Sequence, residues 1–316
     1  MALDHYVSQV HLKNFYAETL NRKKMYAIRK SDLKSFPCGS ADVCRIEGWS
    51  TTQYLGNPRI IEDFIRPIES KYNWACSQIL NNQISSDVIF IIAGFASFIN
   101  ICSPTSIRIM IGSLEHDTKI SAQLLDKAGL LLKSPPELGG KSLSELFDED
   151  QVEIETDANF PKALSISNFY KLLRSFGNFH WDILLNDDLQ SPFLTSDFPL
   201  AVEESSDPRI INRVLPLTPN LAVRIRPSLH LSETQAQSDK FENFRFRRAK
   251  LKRAEVRRVN ELIVRSAENM VFSSINLPWV ARFVERNRRF SVKGVYDKTP
   301  NGTGFNITTR TRVQET

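Results

Sequence analysis

The chain has 316 residues, of which 41% are hydrophobic and 24% are charged, and 41 Lys and Arg against 36 Asp and Glu give a formal net charge of +5. This hydrophobic content is enough to fill a core, and 12 Gly with 15 Pro are too few for a collagen-like or low-complexity chain. The average share of charged residues also argues against wholesale disorder.

The first half of the chain is predicted to be largely helical. Its N-terminal segment looks irregular, with one short strand in the run KMYAIR at 24–29. Asn57-Pro58 predicts the start of an amphipathic helix that reaches about residue 81, because apolar residues then recur every three or four positions. An apolar helix over 88–102 follows, and Pro104 begins another helix that runs to about residue 132. Together they form a predicted helical subregion at 57–132.

The second half mixes strands and helices. A short helix at 165–175 precedes three β-type runs separated by turn residues, which define a strand-rich subregion at 179–228. A helical pattern then covers 233–270 and is predicted to be one basic helix, before a short helix at 278–286 and a polar tail. Because the elements come in blocks, we predict a single α+β domain over 1–316. Its helical N-terminal half packs with a small antiparallel sheet and C-terminal helices.

Cysteine usage and apolar runs bear on the compartment. The four cysteines, Cys38, Cys44, Cys76 and Cys102, show no zinc-type spacing and are predicted to be structural, with Cys76 and Cys102 buried in apolar runs. The N-terminus has no signal-peptide pattern, so we expect a cytoplasmic protein. The apolar run at 88–102 is shorter than the ~20 residues that cross a bilayer, which favours a buried core helix and no membrane partner.

Several short motifs resemble one known family. The chain begins with HYVSQVHLKNF at 5–15 and carries Phe-x-Thr-Ser-Asp-x-Pro from Phe193 to Pro199, followed by Pro-Leu-Thr-Pro at 216–219. In order and spacing these segments resemble domain-of-unknown-function family 4238, a family of bacterial and phage proteins. Ser8 stands where that family usually has Pro, and Cys102 stands where an Arg is expected.

The resemblance implies a biological setting and no reaction. Members of the family occur in mobile elements and in anti-phage defence neighbourhoods. The resemblance therefore implies a defensive or toxic role for this chain, while its chemistry has to come from the residues themselves.

Five polar residues in these motifs are candidates for catalysis. His5 can act as a general base near neutral pH, and Gln9 would share its face in a helix. Ser196 and Asp197 lie at a predicted strand end, and Glu69 projects from the first long helix. His5, Glu69 and Asp197 could form a metal or acid–base set for phosphodiester hydrolysis. In the alternative, these side chains fix the chain start, form a turn and pair with an internal Arg.

The basic charge is concentrated near the C-terminus. Residues 224–316 carry 20 Lys and Arg against 9 Asp and Glu, and 240–258 alone carry nine against two, interleaved with Phe241, Phe244 and Phe246. Arginines can neutralise phosphates and phenyl rings can stack on bases, which predicts contact with nucleic acid. A solvated helix face, or docking on the acidic front of the chain, is the alternative. The predicted nucleic-acid-binding residues are Arg245, Arg247, Arg248, Lys250, Lys252, Arg253, Arg257 and Arg258.

These observations favour an anti-phage defence effector that acts on nucleic acid, with a metal-dependent nuclease as one form of that activity. Mg²⁺ or Mn²⁺ would be the cofactor of such a nuclease. One alternative is a non-enzymatic sensor or binding protein that recognises a phage component. Another is a hydrolase or transferase that acts on a small molecule, if a closed pocket surrounds His5, Glu69 and Asp197. No Gly-rich phosphate loop, nucleophile elbow or His-Glu-x-x-His motif selects a particular reaction.

Overall fold

A computed structural model describes residues 3–207, 209–302 and 304–316. Within these ranges the chain forms helices and strands in separate blocks, which confirms the α+β class. The helices are α1 (Gln9–Lys13), α2 (Ile60–Leu80), α3 (Ser86–Cys102), α4 (Pro104–Lys127), α5 (Leu143–Asp148), α6 (Asn159–Ser167), α7 (Phe169–Asn178), α8 (Glu233–Ala236), α9 (Arg253–Ser266) and α10 (Pro278–Asn287).

The strands are short, except for two near the C-terminus. They are β1 (Leu3–His5), β2 (Met25–Arg29), β3 (Ser35–Cys38), β4 (Arg45–Glu47), β5 (His180–Leu185), β6 (Thr195–Ser196), β7 (Ala201–Glu204), β8 (Ile211–Thr218), β9 (Leu221–Arg226), β10 (Arg245–Lys250), β11 (Met270–Ser273), β12 (Phe290–Asn301) and β13 (Gly304–Glu315). They form a five-stranded sheet in the order β10-β5-β9-β8-β7 and a four-stranded sheet in the order β3-β2-β11-β6. Two further pairs are β1-β4 and β12-β13.

The five-stranded sheet is covered on both faces. Along β5, Ile183 packs with α2, α3 and α7 in the main core, whereas the adjacent Leu184 packs with α9 and α10 in a second cluster. Neighbouring residues of a strand point to opposite faces, so a segment buried on both sides is apolar at successive positions, as Ile183 and Leu184 are. The apolar run of β5 reflects this arrangement.

The helix at the centre of the main core is α3. Its N-cap is Ser85, whose hydroxyl accepts a hydrogen bond from the backbone N–H of Val88, and nearly all of its side chains are buried. The prediction of a buried core helix is confirmed. The next helix, α4, ends at Lys127 rather than near residue 132, because Gly129 adopts a left-handed conformation (φ +68°) that terminates it.

The predicted basic helix over 233–270 is wrong. Only its ends are helical, in α8 and α9, and residues 245–250 between them form strand β10. The sequence Phe-Arg-Phe-Arg at 244–247 alternates with the period of two that a strand requires. The sheet is also not purely antiparallel as predicted, because β10 pairs in parallel with β5, with Arg247 opposite Asp182.

The C-terminal segment that the sequence presents as a polar tail forms two strands. Strands β12 and β13 form a long antiparallel hairpin that pairs Phe290 with Glu315 and Asn301 with Gly304. Asn-Gly at 301–302 is a strong hairpin signal, and Gly302 has φ +58°. All four cysteines are free and buried, which confirms the predicted burial of Cys76 and Cys102 and extends it to Cys38 and Cys44.

Within the described ranges, no single helix is both long enough and apolar enough to cross a membrane. Among the described residues, the one combination long and apolar enough, judged by length and composition alone, is α3 together with α4, with a bend of 54° between them.

Candidate functional site

The N-terminal motif is held against a loop that contains Ser40. Ser40 Oγ donates a hydrogen bond to Gln9 Oε1 at 3.1 Å, and the Tyr16 hydroxyl donates to Ser40 Oγ at 2.9 Å. Burial lowers the pKa of His5, and hydrogen bonding to the Ser40 backbone opposes that shift. His5 and Gln9 therefore lie against one loop, where their contacts fix the start of the chain.

Glu69 of α2 faces the same N-terminal segment. Burial raises the pKa of this carboxyl, and the nearby Ser8 hydroxyl opposes the shift. Three of the five predicted catalytic residues thus lie at the N-terminal segment: His5 and Gln9 belong to it, and Glu69 faces it.

The other two predicted catalytic residues are buried in the sheet. Ser196 Oγ accepts a hydrogen bond from the backbone N–H of Phe198 at 3.2 Å. Asp197 is 4% exposed, and its carboxylate accepts backbone N–H groups of residues 268, 269 and 270 at 2.8–2.9 Å. Burial raises the pKa of Asp197 to about 6, and these three hydrogen bonds oppose that shift. Asp197 therefore holds the turn between α9 and β11 from inside.

A second buried charge lies close to Asp197. The ammonium of Lys30 donates to the carbonyl oxygens of Ala267 at 2.6 Å and Phe290 at 2.7 Å. Burial lowers the pKa of Lys30 to about 8, and the carboxylates of Asp197 and Glu268 oppose the shift. This ammonium joins β2 to the end of α9 and to the start of β12.

The N-terminal motif at 5–15 and the motif at 193–199 meet at His11, which sequence reasoning did not single out. Its Nδ1 lies 2.8 Å from the Tyr72 hydroxyl and its Nε2 lies 2.8 Å from Thr195 Oγ1. The ring stacks on Phe95 with a centroid separation of 5.2 Å. Complete burial lowers the pKa of His11 to about 3, so the ring is neutral and joins the two motifs inside the core. Its place within HYVSQVHLKNF was the available signal.

The predicted metal set is not assembled. Among the described residues, no group of three or more His, Cys, Asp or Glu side chains is arranged to hold a metal ion. Both Asp197 oxygens already accept backbone hydrogen bonds, which leaves this carboxylate poorly placed to join His5 and Glu69 around an ion. The described contacts of Asp197 are thus hydrogen bonds within the fold.

The part of the basic stretch that forms strand β10 contacts other groups of the same chain. Arg247 makes a two-pronged contact with the buried carboxylate of Asp182, at 2.7 and 3.1 Å, and Arg226 lies 3.2 Å from the same carboxylate. Arg245 donates to the carbonyl oxygens of Glu242 and Phe244. Arg247 and Arg226 thus neutralise the buried Asp182 carboxylate, and Arg245 satisfies two carbonyl groups of a local turn.

Arg248 binds the C-terminal end of α2. Its guanidinium donates to the carbonyl oxygens of Ile79 at 2.5 Å and Leu80 at 3.0 Å. A cation at this end satisfies unpaired carbonyls and interacts favourably with the helix dipole. Lys250 pairs with Asp187. Arg248 and Lys250 are thus already engaged within the fold.

The interleaved phenylalanines are mostly packed. Phe241 is buried, and Phe244 meets the ring of Trp181 edge-on at 5.0 Å. Phe246 stacks on Phe244 at 5.8 Å and is the most exposed of the three. The prediction that these rings form a base-stacking surface is therefore not supported by their packing.

The helical half of the basic stretch opens onto a cleft between α9 and α10. The cleft has a volume of about 1040 Å³ and includes Trp279 and Phe283 in its lining. Its basic lining residues, here called the arginine cleft, are Arg253, Arg257, Arg258, Arg282 and Arg286. Three of the eight predicted nucleic-acid-binding residues therefore lie together here, and the exposed Lys252 immediately precedes α9.

Most of the positive charge in the arginine cleft is uncompensated. Arg253 lies 3.2 Å from Asp188, and Glu261, which also lines the cleft, pairs with Arg265 one turn further along α9. Within the part of the chain that the structure describes, none of the other four arginines forms an ion pair. Arg257 instead lies over the Phe283 ring at 5.9 Å.

Sequence reasoning missed Arg282 and Arg286. They are four residues apart, as are Trp279 and Phe283, so α10 presents a basic stripe beside an aromatic one. That spacing was visible in the sequence. The approach of α10 to α9 depends on burial of residues such as Val256 and Val280 in one apolar cluster, which no local pattern reveals.

Residues 4–276 match the family described as protein of unknown function DUF4238. The chain belongs to the DUF4238 family. The predicted resemblance to this family is thereby confirmed. We found no match among curated proteins and none among solved structures. In this DUF4238 protein the matched region ends just before α10, so one wall of the arginine cleft lies beyond it.

Proposed function

We propose that this DUF4238 protein binds nucleic acid through the arginine cleft. The observation that carries the proposal is the set of five arginines from two helices that line one cleft, four of them without an ion pair among the described residues. Arginine presents a planar fork of donors that matches phosphate, and an array of such groups suits a phosphate chain.

The neighbouring carboxylates do not cancel this charge. Glu261 pairs with Arg265, and Asp188 reaches only Arg253 at one end of the cleft. A polyanion entering the cleft would therefore meet mainly positive charge. Arg257, held over Phe283, would meet it with restricted side-chain freedom, which lowers the entropy cost of binding.

We further propose that binding serves anti-phage defence, a role supported by the family resemblance alone. A metal-dependent nuclease is the enzymatic form of the proposal. Glu261 is the one carboxylate among the described residues that line the cleft, and it pairs with Arg265. The geometry therefore supports binding more directly than cleavage. A non-enzymatic sensor of a phage component would use the same surface.

The test measures binding of labelled DNA and RNA by fluorescence anisotropy. Wild type is compared with Arg282→Ala/Arg286→Ala, which removes two charges from α10. The matched control is Arg66→Ala/Lys71→Ala, which removes two charges from the exposed face of α2 outside the cleft. Gel analysis of the same samples with and without Mg²⁺ or Mn²⁺ detects strand cleavage.

We expect the cleft variant to lose at least tenfold in affinity while the control changes less than twofold, with matching circular dichroism spectra for all three proteins. Equal losses in both variants would reject the cleft as the binding site. The absence of any binding by wild type at low salt would reject the function itself. Metal-dependent cleavage that is lost in the cleft variant would add a nuclease activity.

A further inference from the structure

The arginine cleft contains one aromatic side chain that its arginines do not occupy. Trp279 lies in the first turn of α10 and is partly exposed, and its indole N–H donates to the carbonyl oxygen of Gln190 at 3.1 Å. The ring meets Phe283 edge-on, at a centroid separation of 6.1 Å and an interplanar angle of 73°. With its polar edge engaged, the indole offers apolar carbon surface to the cleft.

Phe283 has a different part in the same wall. It is 7% exposed, and the guanidinium of Arg257 lies over its ring at 5.9 Å. This cation–π contact positions the arginine and occupies a face of the phenyl ring. Trp279 is therefore the ring in the cleft best placed to meet a ligand.

This combination selects among polyanions. A ligand made only of phosphate or sulfate groups would use the arginines and gain nothing from an indole. A nucleic acid strand carries both phosphates and flat bases, and stacking of one base on an aromatic side chain contributes ~1–3 kcal/mol. Charge and aromatic surface together thus favour a ligand with bases.

The size and shape of the cleft bear on whether a single strand or a duplex fits it. Duplex nucleic acid buries its base faces within the stack and presents phosphates and groove edges, so it could not place a base face on Trp279 without unstacking. The volume of about 1040 Å³ lies near the upper end of the ~300–1,000 Å³ range of small-ligand pockets. Such a cleft suits a short stretch of one strand.

The arginine spacing agrees with an extended strand. Arg253 and Arg257 on α9, and Arg282 and Arg286 on α10, are each separated by four residues, which is ~6 Å of rise along a helix. Each helix therefore presents a row of guanidinium groups, and successive phosphates could contact successive arginines.

We infer that the arginine cleft is a single-stranded nucleic acid site in which a base stacks on Trp279 and the arginines contact the flanking phosphates. The inference rests on the proposed nucleic-acid binding and names its substrate class. Trp279 thereby becomes a binding residue that selects single strands over duplexes.

The test compares a short single-stranded oligonucleotide, its duplex, and inorganic polyphosphate at one salt concentration. The variants are Trp279→Ala and Trp279→Phe. The control is Trp74→Ala, because Trp74 is an exposed tryptophan on α2 outside the cleft. Quenching of tryptophan fluorescence on titration provides a second measurement.

For the single strand, we expect Trp279→Ala to lose roughly 5- to 150-fold in affinity, since ~1.36 kcal/mol corresponds to a factor of ten. Trp279→Phe should retain most of the affinity because a ring remains, and it keeps the test valid if the alanine variant does not fold. Duplex and polyphosphate should bind more weakly and respond little to either variant. Single-strand binding should quench wild-type fluorescence, and Trp279→Phe should remove most of that quenching.

Duplex or polyphosphate binding as tight as single-strand binding would overturn the inference. So would single-strand affinity that stays within twofold in Trp279→Ala, or that falls equally in Trp74→Ala. If Arg282→Ala/Arg286→Ala abolishes binding in those cases, nucleic-acid binding by the cleft stands and only strand selection fails. If no nucleic acid binds wild type, both fail.

Discussion

His11 Nε2 and Thr195 Oγ1 lie 2.8 Å apart although 184 positions separate the two residues in the chain. The other ring nitrogen lies 2.8 Å from the Tyr72 hydroxyl, so one imidazole joins the N-terminal motif, α2 and β6. All three residues are buried. In this chain the N-terminal segment and β6 therefore each supply one partner of a buried hydrogen-bonded pair.

Replacing His11 with Ala should destabilise the protein by about 3 kcal/mol or more, because it opens a cavity and leaves two buried hydroxyls without their partner. Urea unfolding followed by circular dichroism measures this loss. The exposed His230→Ala variant is the control and should change the free energy of unfolding by less than ~0.5 kcal/mol. A similarly small effect in His11→Ala would contradict a structural role.

The stability of the protein should fall in acid through His11. Burial lowers the pKa of His11 from 6.5 to about 3, so between these values the unfolded chain binds a proton that the folded chain does not. The contribution is complete above about pH 6.5 and is lost as the pH falls toward 3. At about pH 5 the loss should be about 2 kcal/mol.

Comparison with His11→Phe isolates this effect, since the variant has no group to titrate at that position. Urea unfolding at about pH 7.5 and about pH 5 should show wild type losing about 2 kcal/mol more than the variant. Asp197, whose raised pKa favours the folded state as the pH falls from about 6, opposes the trend equally in both proteins. Parallel pH profiles would show that His11 becomes protonated without penalty.

Asp197→Asn should lower stability and leave nucleic-acid binding intact. An amide has one acceptor oxygen where the carboxylate uses two for three backbone N–H groups, so we expect a loss of about 2–3 kcal/mol. Asp148→Asn, at an exposed position, is the control. Unchanged stability together with loss of an activity would instead restore Asp197 as a catalytic residue.

Two arginines from the same basic stretch should behave in opposite ways. Arg248→Ala removes the contacts at the end of α2 and should cost about 1–2 kcal/mol of stability with no change in nucleic-acid affinity. Arg257→Ala should weaken binding and leave stability within ~0.5 kcal/mol. Thermal unfolding and anisotropy on both variants test the pair. Equal effects on binding would show that β10 also contacts the ligand.

Salt dependence should count the phosphate contacts. If all five arginines of the cleft contact phosphates, a plot of log affinity against log salt concentration should have a slope of about −3.5 for a single strand. Arg282→Ala/Arg286→Ala should reduce the magnitude of that slope by about 1.4. An unchanged slope in the variant would mean that these two arginines do not meet phosphates.

Much of the fold follows from periodicity. The helical run of α2 and the apolar run of β5 are visible in the sequence because each buries a regular face. Strand β10 was missed because its Phe-Arg alternation lies beside the helical pattern of α9, and a run of arginines suggests a solvated helix. Its parallel pairing with β5 buries Asp182 under Arg247, a contact set by tertiary structure.

The candidate site was only half predictable. Arg257 and Arg258 stood out as members of a long basic run, whereas Arg282 and Arg286 lie in a shorter one, residues 282–289, that carries four Arg against one Glu and was not singled out. Their joint function depends on α9 and α10 packing side by side, which local sequence does not encode. The surroundings of Asp197 were not predictable either, because neither its burial nor its three backbone donors is visible in Thr-Ser-Asp.

Lys30 holds both ends of the chain segment that forms one wall of the arginine cleft. The two carbonyls that its ammonium joins, those of Ala267 and Phe290, stand at either end of the segment that contains α10. The buried ammonium of Lys30 thus links the two positions in the chain between which α10 lies. A contact in the core therefore fixes both ends of the segment that carries α10, and with it one wall of the arginine cleft.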